Sequence, residues 1–312
     1  MDPSSFLTVC MNPTLQKTLR FPFIQTDQVN RTGDYRLDAS GKGVNVCRVL
    51  TQLGKKSGHL TQLGGVLRPL FLELCARDGL DLKWVESHGA IRFCYTLIDD
   101  ARGTITELVE ESEPVGEGTE ELLLQAYGET LPAWGTVIIS GTMAAGFSGG
   151  LIPAMVRAAA EGGRRIILDI RGRDLLNSLP YEPSLIKPNL LEFAGTFAPE
   201  FVRQGVLSGE AGELKGRIRE ICRFLCKKHH TRIVLTRGSD PVWFAEGDDF
   251  REFAFEPVKP LNTTGSGDAF TAGMAAILAE GGSLEEAVAE GVRCGRLNAG
   301  FFKVAAIRPA GS

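Results

Sequence analysis

"TEELLLQAYGETLPAWGTVIISGTMAAGFSGGLIPAMVRAAAEGGRRIILDI", residues 119–170, holds two apolar runs of strand length, "TVIIS" and "RIILDI". Each is preceded by a longer segment whose apolar residues recur with helical spacing, 119–131 before the first and 149–163 before the second. A strand wetted on one face alternates apolar with polar residues, so a continuously apolar strand needs cover on both faces. The rhythm repeats downstream, where "ELKGRIREICRFLCKKH" (213–229) leads to "RIVLTRG" (232–238). Buried strands separated by amphipathic helices predict an α/β protein: three layers, with helices on both faces of a mostly parallel central sheet. In such sheets ligands bind beyond the carboxyl ends of the strands, which directs attention to the loops that follow them.

Toward the N-terminus the pattern is less regular. "FLTVCM" (6–11) and "GHLTQLGG" (58–65) are strand candidates, and helices are predicted over 43–53 and 68–79. "IRFCYTLIDDARGTITELVEE" (91–111) has two alternating runs around Asp-Asp-Ala-Arg-Gly, a hairpin signal. The pieces near 19–38 and 88–110 do not follow the strand–helix rhythm and predict a small β-sheet projecting over the site. No repeat or long linker interrupts the chain, so residues 1–312 are expected to form one domain.

Composition narrows the function. Of 312 residues, 43% are hydrophobic and 23% charged, as in an ordinary folded protein, and the net charge is −4 with no run of five like charges. An extended nucleic-acid surface is therefore not expected. The longest apolar stretches fall well below the roughly 18 residues of a membrane span. The start, "MDPSSFLTVCMNP", lacks the basic-then-apolar pattern of a signal peptide, so a cytoplasmic location is expected. Seven cysteines without a Cys-x-x-Cys pair, and four histidines without a His-x-x-x-His pair, give little material for a zinc site or a histidine-based triad. Cys222 and Cys226 read as small buried helix residues, and His229 and His230 as solvated or capping groups.

Three polar pieces could carry chemistry. In "NTTGSGDAF" (262–270) a glycine-rich turn enters an apolar helix, and the amides of such a first turn, aided by the helix dipole, bind anions. Asp268 would sit beside a bound phosphate, as a base; a capping acid with no further role is equally open. "SGKGVNV" (40–46) holds Lys42 between Gly41 and Gly43, with Asn45 in the same turn; a surface loop is the alternative. In "LIKPNLLEF" (185–193), Asn189 and Glu192 have capping-box spacing, and Glu192 is also a candidate to hold a hydrated magnesium. The P-loop signature Gly-x-x-x-x-Gly-Lys-Ser/Thr does not occur.

Taken together these pieces resemble the PfkB, or ribokinase-like, family of sugar kinases. Asn262–Asp268 matches its Asp-Thr-x-Gly-Ala-Gly-Asp signature with two substitutions, Asn189–Glu192 its Asn-x-x-Glu motif, and Ser40–Asn45 its Gly-Gly-Lys-Gly-x-Asn segment. "TVCMNPTLQKTL", "IISGTMAAGF" and "IVLTRGSD" are similar to the branch containing 1-phosphofructokinase and tagatose-6-phosphate kinase. The resemblance, in order over nearly the whole chain, implies a ribokinase-like fold with a β-sheet lid that also pairs subunits into a homodimer. It implies ATP with Mg2+, Asp268 as the base, and an anion hole from the amides of Gly265, Ser266 and Gly267. Glu192 and Asn189 would organise the magnesium, with Lys187, Thr236, Gly238 and Asn298 around the nucleotide. Asn12, Gln16, Gly41, Lys42 and Asn45 would line the acceptor site, with Arg92 and Thr142 toward an acceptor phosphate.

Three positions depart from the family pattern. Gln16 stands where relatives have an acid that grips sugar hydroxyls, Asn262 replaces the first acid of the signature, and "TMAAGF" lacks the usual prolines. The implied activity is ATP-dependent phosphorylation of fructose 1-phosphate, with tagatose 6-phosphate and fructose 6-phosphate as neighbouring substrates. A kinase of an unphosphorylated sugar, polyol or nucleoside is the enzymatic alternative, and a ligand sensor without catalysis the other.

Overall fold

The computed structural model describes residues 2–203 and 211–309. In its first half the strands are β1 (Ser5–Cys10), β2 (Thr14–Phe21), β3 (Tyr35–Ser40), β4 (Lys56–Gly64), β5 (Asp81–Ser87), β6 (Arg92–Asp99) and β7 (Thr104–Val109). They are followed by β8 (Thr136–Ser140), β9 (Arg165–Asp169), β10 (Leu185–Ile186), β11 (Arg232–Arg237), β12 (Asp240–Glu246) and β13 (Asp249–Phe253). The helices are α1 (Lys42–Gln52), α2 (Arg68–Arg77), α3 (Thr119–Thr130), α4 (Leu151–Glu161) and α5 (Gly172–Ser178). Then come α6 (Leu190–Phe197), α7 (Pro199–Arg203), α8 (Ala211–His229), α9 (Ser266–Ala279) and α10 (Leu284–Ala299).

A nine-stranded sheet runs in the order β13-β12-β11-β10-β9-β8-β1-β4-β5. From β11 to β5 every neighbouring pair is parallel; β12 and β13 add an antiparallel edge. Alternation of side chains along each strand divides the core between the two faces. Leu7, Val137, Ile139, Ile166, Leu168, Ile233 and Leu235 pack with residues of α3, α4, α5, α6 and α8. Their neighbours Phe6, Ile138, Ile167, Leu185 and Val234 pack on the opposite face with α1, α9 and α10. The continuous apolarity of "TVIIS" and "RIILD" thus serves two cores, giving the three-layer α/β fold expected from them.

A second sheet of four strands has the order β3-β2-β6-β7. Two antiparallel pairs, β2–β3 and β6–β7, are joined by the parallel pair β2–β6. The expected segments near 19–38 and 88–110 contain most of it, but β2 begins at Thr14 and β3 continues to Ser40. The extra length lies where Leu15 and Ala39 bury against Val44 and Cys47 of α1 and Phe71 and Cys75 of α2, anchoring this sheet to the main body. Cys222 and Cys226 are buried as expected; His230 is exposed at the end of α8, with its Nε2 3.9 Å from a carboxylate oxygen of Glu182. Among the described residues no helix is long and apolar enough to cross a membrane.

Candidate active site

The glycine-rich turn has the geometry its composition suggested. Gly265 caps α9 with φ 82°, and a β-carbon there would lie 2.9 Å from Cγ1 of Val304. Any L side chain would be both strained and crowded at that position. Two buried amides lock the turn from behind. Asn262 donates to the carbonyl of Phe302 (3.1 Å) and accepts from the amide of Thr264 (3.0 Å), whereas the aspartate of the family signature could not make the first bond. Asn298 donates to the Thr264 carbonyl and the Ser266 hydroxyl at 3.0 and 2.9 Å and accepts from the amide of Ala306.

The turn alters one expectation. The amide of Ser266 is engaged with the carbonyl of Thr263 at 3.0 Å, so it is not available to an anion. The amides of Gly265, Gly267 and Asp268 have no partner among the described residues. A β-carbon on Gly267 would meet nothing within 4 Å, so the space beside it is open to the cleft.

That cleft, about 330 Å³, lies between the carboxyl ends of the main-sheet strands and the small sheet. Its floor includes Lys42, Asn45, Asp169, Lys187, Glu192 and Asp268; Gln16, Arg92 and Glu107 come from the small sheet. Gly41, Asn189, Thr236, Gly265 and Gly267 also line it. Ser266, Gly238, Asn298, Asn12 and Thr142 do not. Gly238 sits exposed in the two-residue turn between β11 and β12 with φ 65°, and Asn298 is fully buried behind the glycine-rich turn. Asn12 donates to the Thr142 hydroxyl (3.3 Å), so those two form a pair of their own after β1 and β8.

Asp268 is buried, and Asn45 donates to its Oδ2 at 2.8 Å. Burial, reinforced by the charge of Asp169 and only partly offset by Lys42, Asn45 and Lys187, pushes its carboxyl up to about 7. Asp169, the last residue of β9, was not singled out by the sequence. Its carboxylate lies 3.5 Å from the Lys42 ammonium and 3.3 Å from that of Lys187, and the hydroxyls of Ser140 and Thr271 also donate to it. Burial would raise its pKa, but the two ammonium groups outweigh burial and hold it below the usual carboxylate range. Lys42 is held above its ordinary range, first by Asp169 and then by Glu192, 3.3 Å away. Glu192 also closes the capping box with Asn189, each accepting from the other's backbone amide, so the cap and the cleft use one side chain.

A directional hydrogen-bond chain connects the small sheet to the turn. Gln16 donates to the hydroxyl of Thr96 at 2.9 Å, and that of Thr264 donates to Glu107 at 2.8 Å. With the Thr264 proton engaged there, Thr96 must be the donor across the 3.0 Å contact between the two hydroxyls.

Comparison with known proteins agrees with this architecture. The family model described as "pfkB family carbohydrate kinase" matches residues 9–306. Escherichia coli phosphofructokinase-2, solved in complex with potassium, superposes with a TM-score of 0.80 at 23% identity, covering 95% of this chain and 92% of that one. The same enzyme in complex with fructose-6-phosphate gives a TM-score of 0.79 at 22% identity, over 94% and 92% of the two chains. A Thermotoga maritima protein named "Possible 1-phosphofructokinase" gives 0.81 at 23% identity, over 94% and 91%. At these identities the structural matches speak for the fold, while the family match spans nearly the whole sequence: this chain belongs to the pfkB family of carbohydrate kinases.

Proposed function

We propose that this kinase transfers the γ-phosphoryl group of ATP to a hydroxyl of a phosphorylated ketose, with fructose 1-phosphate as the first acceptor to test. The observation that carries this reading is the buried Asp268 carboxylate, placed beside unengaged helix-turn amides and across from Lys42. A carboxyl with a pKa near neutrality can take the hydroxyl proton as the oxygen attacks in line. ADP then departs, and the amides of Gly265, Gly267 and Asp268, with Lys42 and Lys187, offset the charge on the transferring group. Among the described residues no group of three or more His, Cys, Asp or Glu side chains could hold a metal. Mg2+ arriving with ATP would therefore take most of its ligands from phosphate oxygens and water, with Glu192 and Asn189 supporting it.

Arg92 supports a phosphorylated acceptor. One guanidinium nitrogen donates to the carbonyl of Glu110 at 2.7 Å, while Nε is screened from solvent and has no partner among the described residues. A phosphate would satisfy it through the guanidinium fork. A kinase of an unphosphorylated sugar, polyol or nucleoside is the second reading; Gln16 stands where relatives have an acid that grips sugar hydroxyls, and its amide nitrogen is directed to Thr96. Pairing of subunits through the small sheet belongs to the same proposal; Tyr35 and Leu108 there are 59% and 51% exposed.

ADP release with Mg2+ and ATP, measured over fructose 1-phosphate, fructose 6-phosphate, tagatose 6-phosphate and unphosphorylated acceptors, separates these readings. Arg92→Ala is expected to raise KM for the phosphosugar about 10- to 100-fold and leave KM for ATP within about twofold. Unchanged phosphosugar kinetics would remove Arg92 from the acceptor site. Tight binding without turnover across the panel would favour the sensor. Gly267→Ala tests the open space beside the turn: replacing a helical glycine at a compatible position is expected to stabilise the fold by about 0.4–1 kcal/mol. Its methyl group would occupy the cleft, so turnover should fall while the melting temperature rises.

A further inference from the structure

Arg48, on α1, is among the largest fully buried side chains of the protein, at 2% exposure. Its Nε donates to Oδ2 of Asp78 at 2.7 Å, Nη2 donates to the Ala39 carbonyl, and Nη1 donates to Oδ1 of Asn45 at 2.9 Å. The Ser40 hydroxyl donates to the same oxygen at 3.0 Å. An asparagine side chain can present either end, but an arginine has no acceptor and cannot lose its proton. The end of Asn45 facing Arg48 must therefore be oxygen, which turns the NH2 toward Asp268 Oδ2.

We propose that Arg48 is a positioning residue for Asp268, fixing the polarity of the Asn45 amide so that the carboxylate always meets a donor. This rests on the reading of Asp268 as the base. Without the guanidinium, Asn45 could turn its carbonyl to the carboxylate, which would favour the protonated, non-basic form. Asp78 supplies the counter-charge and is itself paired with Lys303, so the arginine is neutralised away from the cleft.

Other ionisable groups surround both ends. Asp38 faces Arg48 and is pushed up by burial, while neighbouring His59 is lowered by burial to about 3 and so is neutral. Cys47 and Cys75 beside it have thiols raised by burial. Around Asp268 stand Lys42, Lys187, Asp169 and the Cys10 thiol.

Two measurements decide the matter. In the wild-type protein labelled with 15N-asparagine, the Asn45 NH2 signal, identified by its loss in Asn45→Ala, should move with a midpoint near pH 7 as Asp268 ionises. In Arg48→Met that response should weaken or reverse. In steady-state kinetics, Arg48→Met should lower kcat about 10-fold and move the acid limb of its pH profile upward, with KM for ATP little changed. Arg48→Lys should recover part of both effects, and adding Arg48→Met to Asn45→Ala should cost nothing more. An Asn45 signal insensitive to pH in the wild type, or losses that multiply in the double variant, would overturn the proposal. If Arg48→Met does not fold, the wild-type signal and Arg48→Lys still decide. Absence of wild-type turnover on every acceptor would instead count against the kinase reading, leaving the labelled-amide result to judge Arg48 separately.

Discussion

Asp268→Asn is expected to lower kcat by about 10²- to 10⁴-fold, the usual contribution of a positioned general base. Asparagine keeps the size and can still accept from Asn45, so KM for ATP should change little. With Asp268 as the proposed base, the active form would carry it ionised, and kcat should fall as pH drops through about 7. The variant's residual rate should lack that limb. A variant that retains wild-type kcat, or keeps the same acid limb, would show that another group accepts the proton.

The same substitution should change stability in the opposite sense. The Asp268 carboxyl lies near 3.9 in an unfolded chain and about 7 when folded, so the native state holds its proton more tightly. Its contribution to stability is complete below pH ~4 and is lost as pH rises through about 7, where a buried charge must be carried. Asparagine carries no such penalty. The stability of Asp268→Asn relative to wild type should therefore improve between pH ~4 and ~8 by on the order of 2–4 kcal/mol, the free-energy equivalent of that shift. Parallel denaturation at the two pH values would reveal it, and a constant difference would mean that Asp268 ionises as readily in the fold as in the unfolded chain.

Legibility in the sequence followed the range of the interactions involved. "TVIIS" and "RIILD" announced two covered faces because strand periodicity is local, and Asn189 with Glu192 announced a cap because three residues span one turn. β5 and β13 were not anticipated: "DLKWVES" and "DFREF" lie at the two edges of the main sheet and keep much polar surface exposed, which blurs their pattern. In the site, the glycine-rich turn was readable as a helix entry with unpaired first-turn amides, but the engagement of the Ser266 amide depends on how the turn closes on Thr263. Asn298 gave no local sign that it would brace that turn from a distant helix. Arg48 reads as an ordinary helix-surface charge until Asp78, Ala39 and Asn45 converge on it. Asp169 is a single acid at the end of an apolar strand, and its environment comes from lysines 127 residues before it and 18 after it.

Asp169→Asn should be the most destabilising polar substitution in the cleft. Lys187 is almost fully buried, and Asp169 is its ion-pair partner among the described residues. Removing one member of a buried pair leaves the other charge uncompensated, which costs about 3–5 kcal/mol. Lys42 retains Glu192, so the loss should fall mainly on Lys187. The depressed pKa of Asp169 gives the wild type its own signature: the pair's contribution is present above the unfolded carboxylate value near 3.9 and disappears as pH falls through the lower folded value. At neutral pH the variant should thus melt well below the wild type, with the gap narrowing in strong acid. An anion binding in the cleft would restore a partner to Lys187, so added inorganic phosphate or ATP should raise the melting temperature of Asp169→Asn more than that of the wild type. Equal shifts in the two proteins would place the bound anion away from Lys187, and a variant as stable as the wild type would show that the ammonium finds water or another acceptor when Asp169 is neutral. The expected result would assign Asp169 the task of holding two lysines close together before a triphosphate arrives.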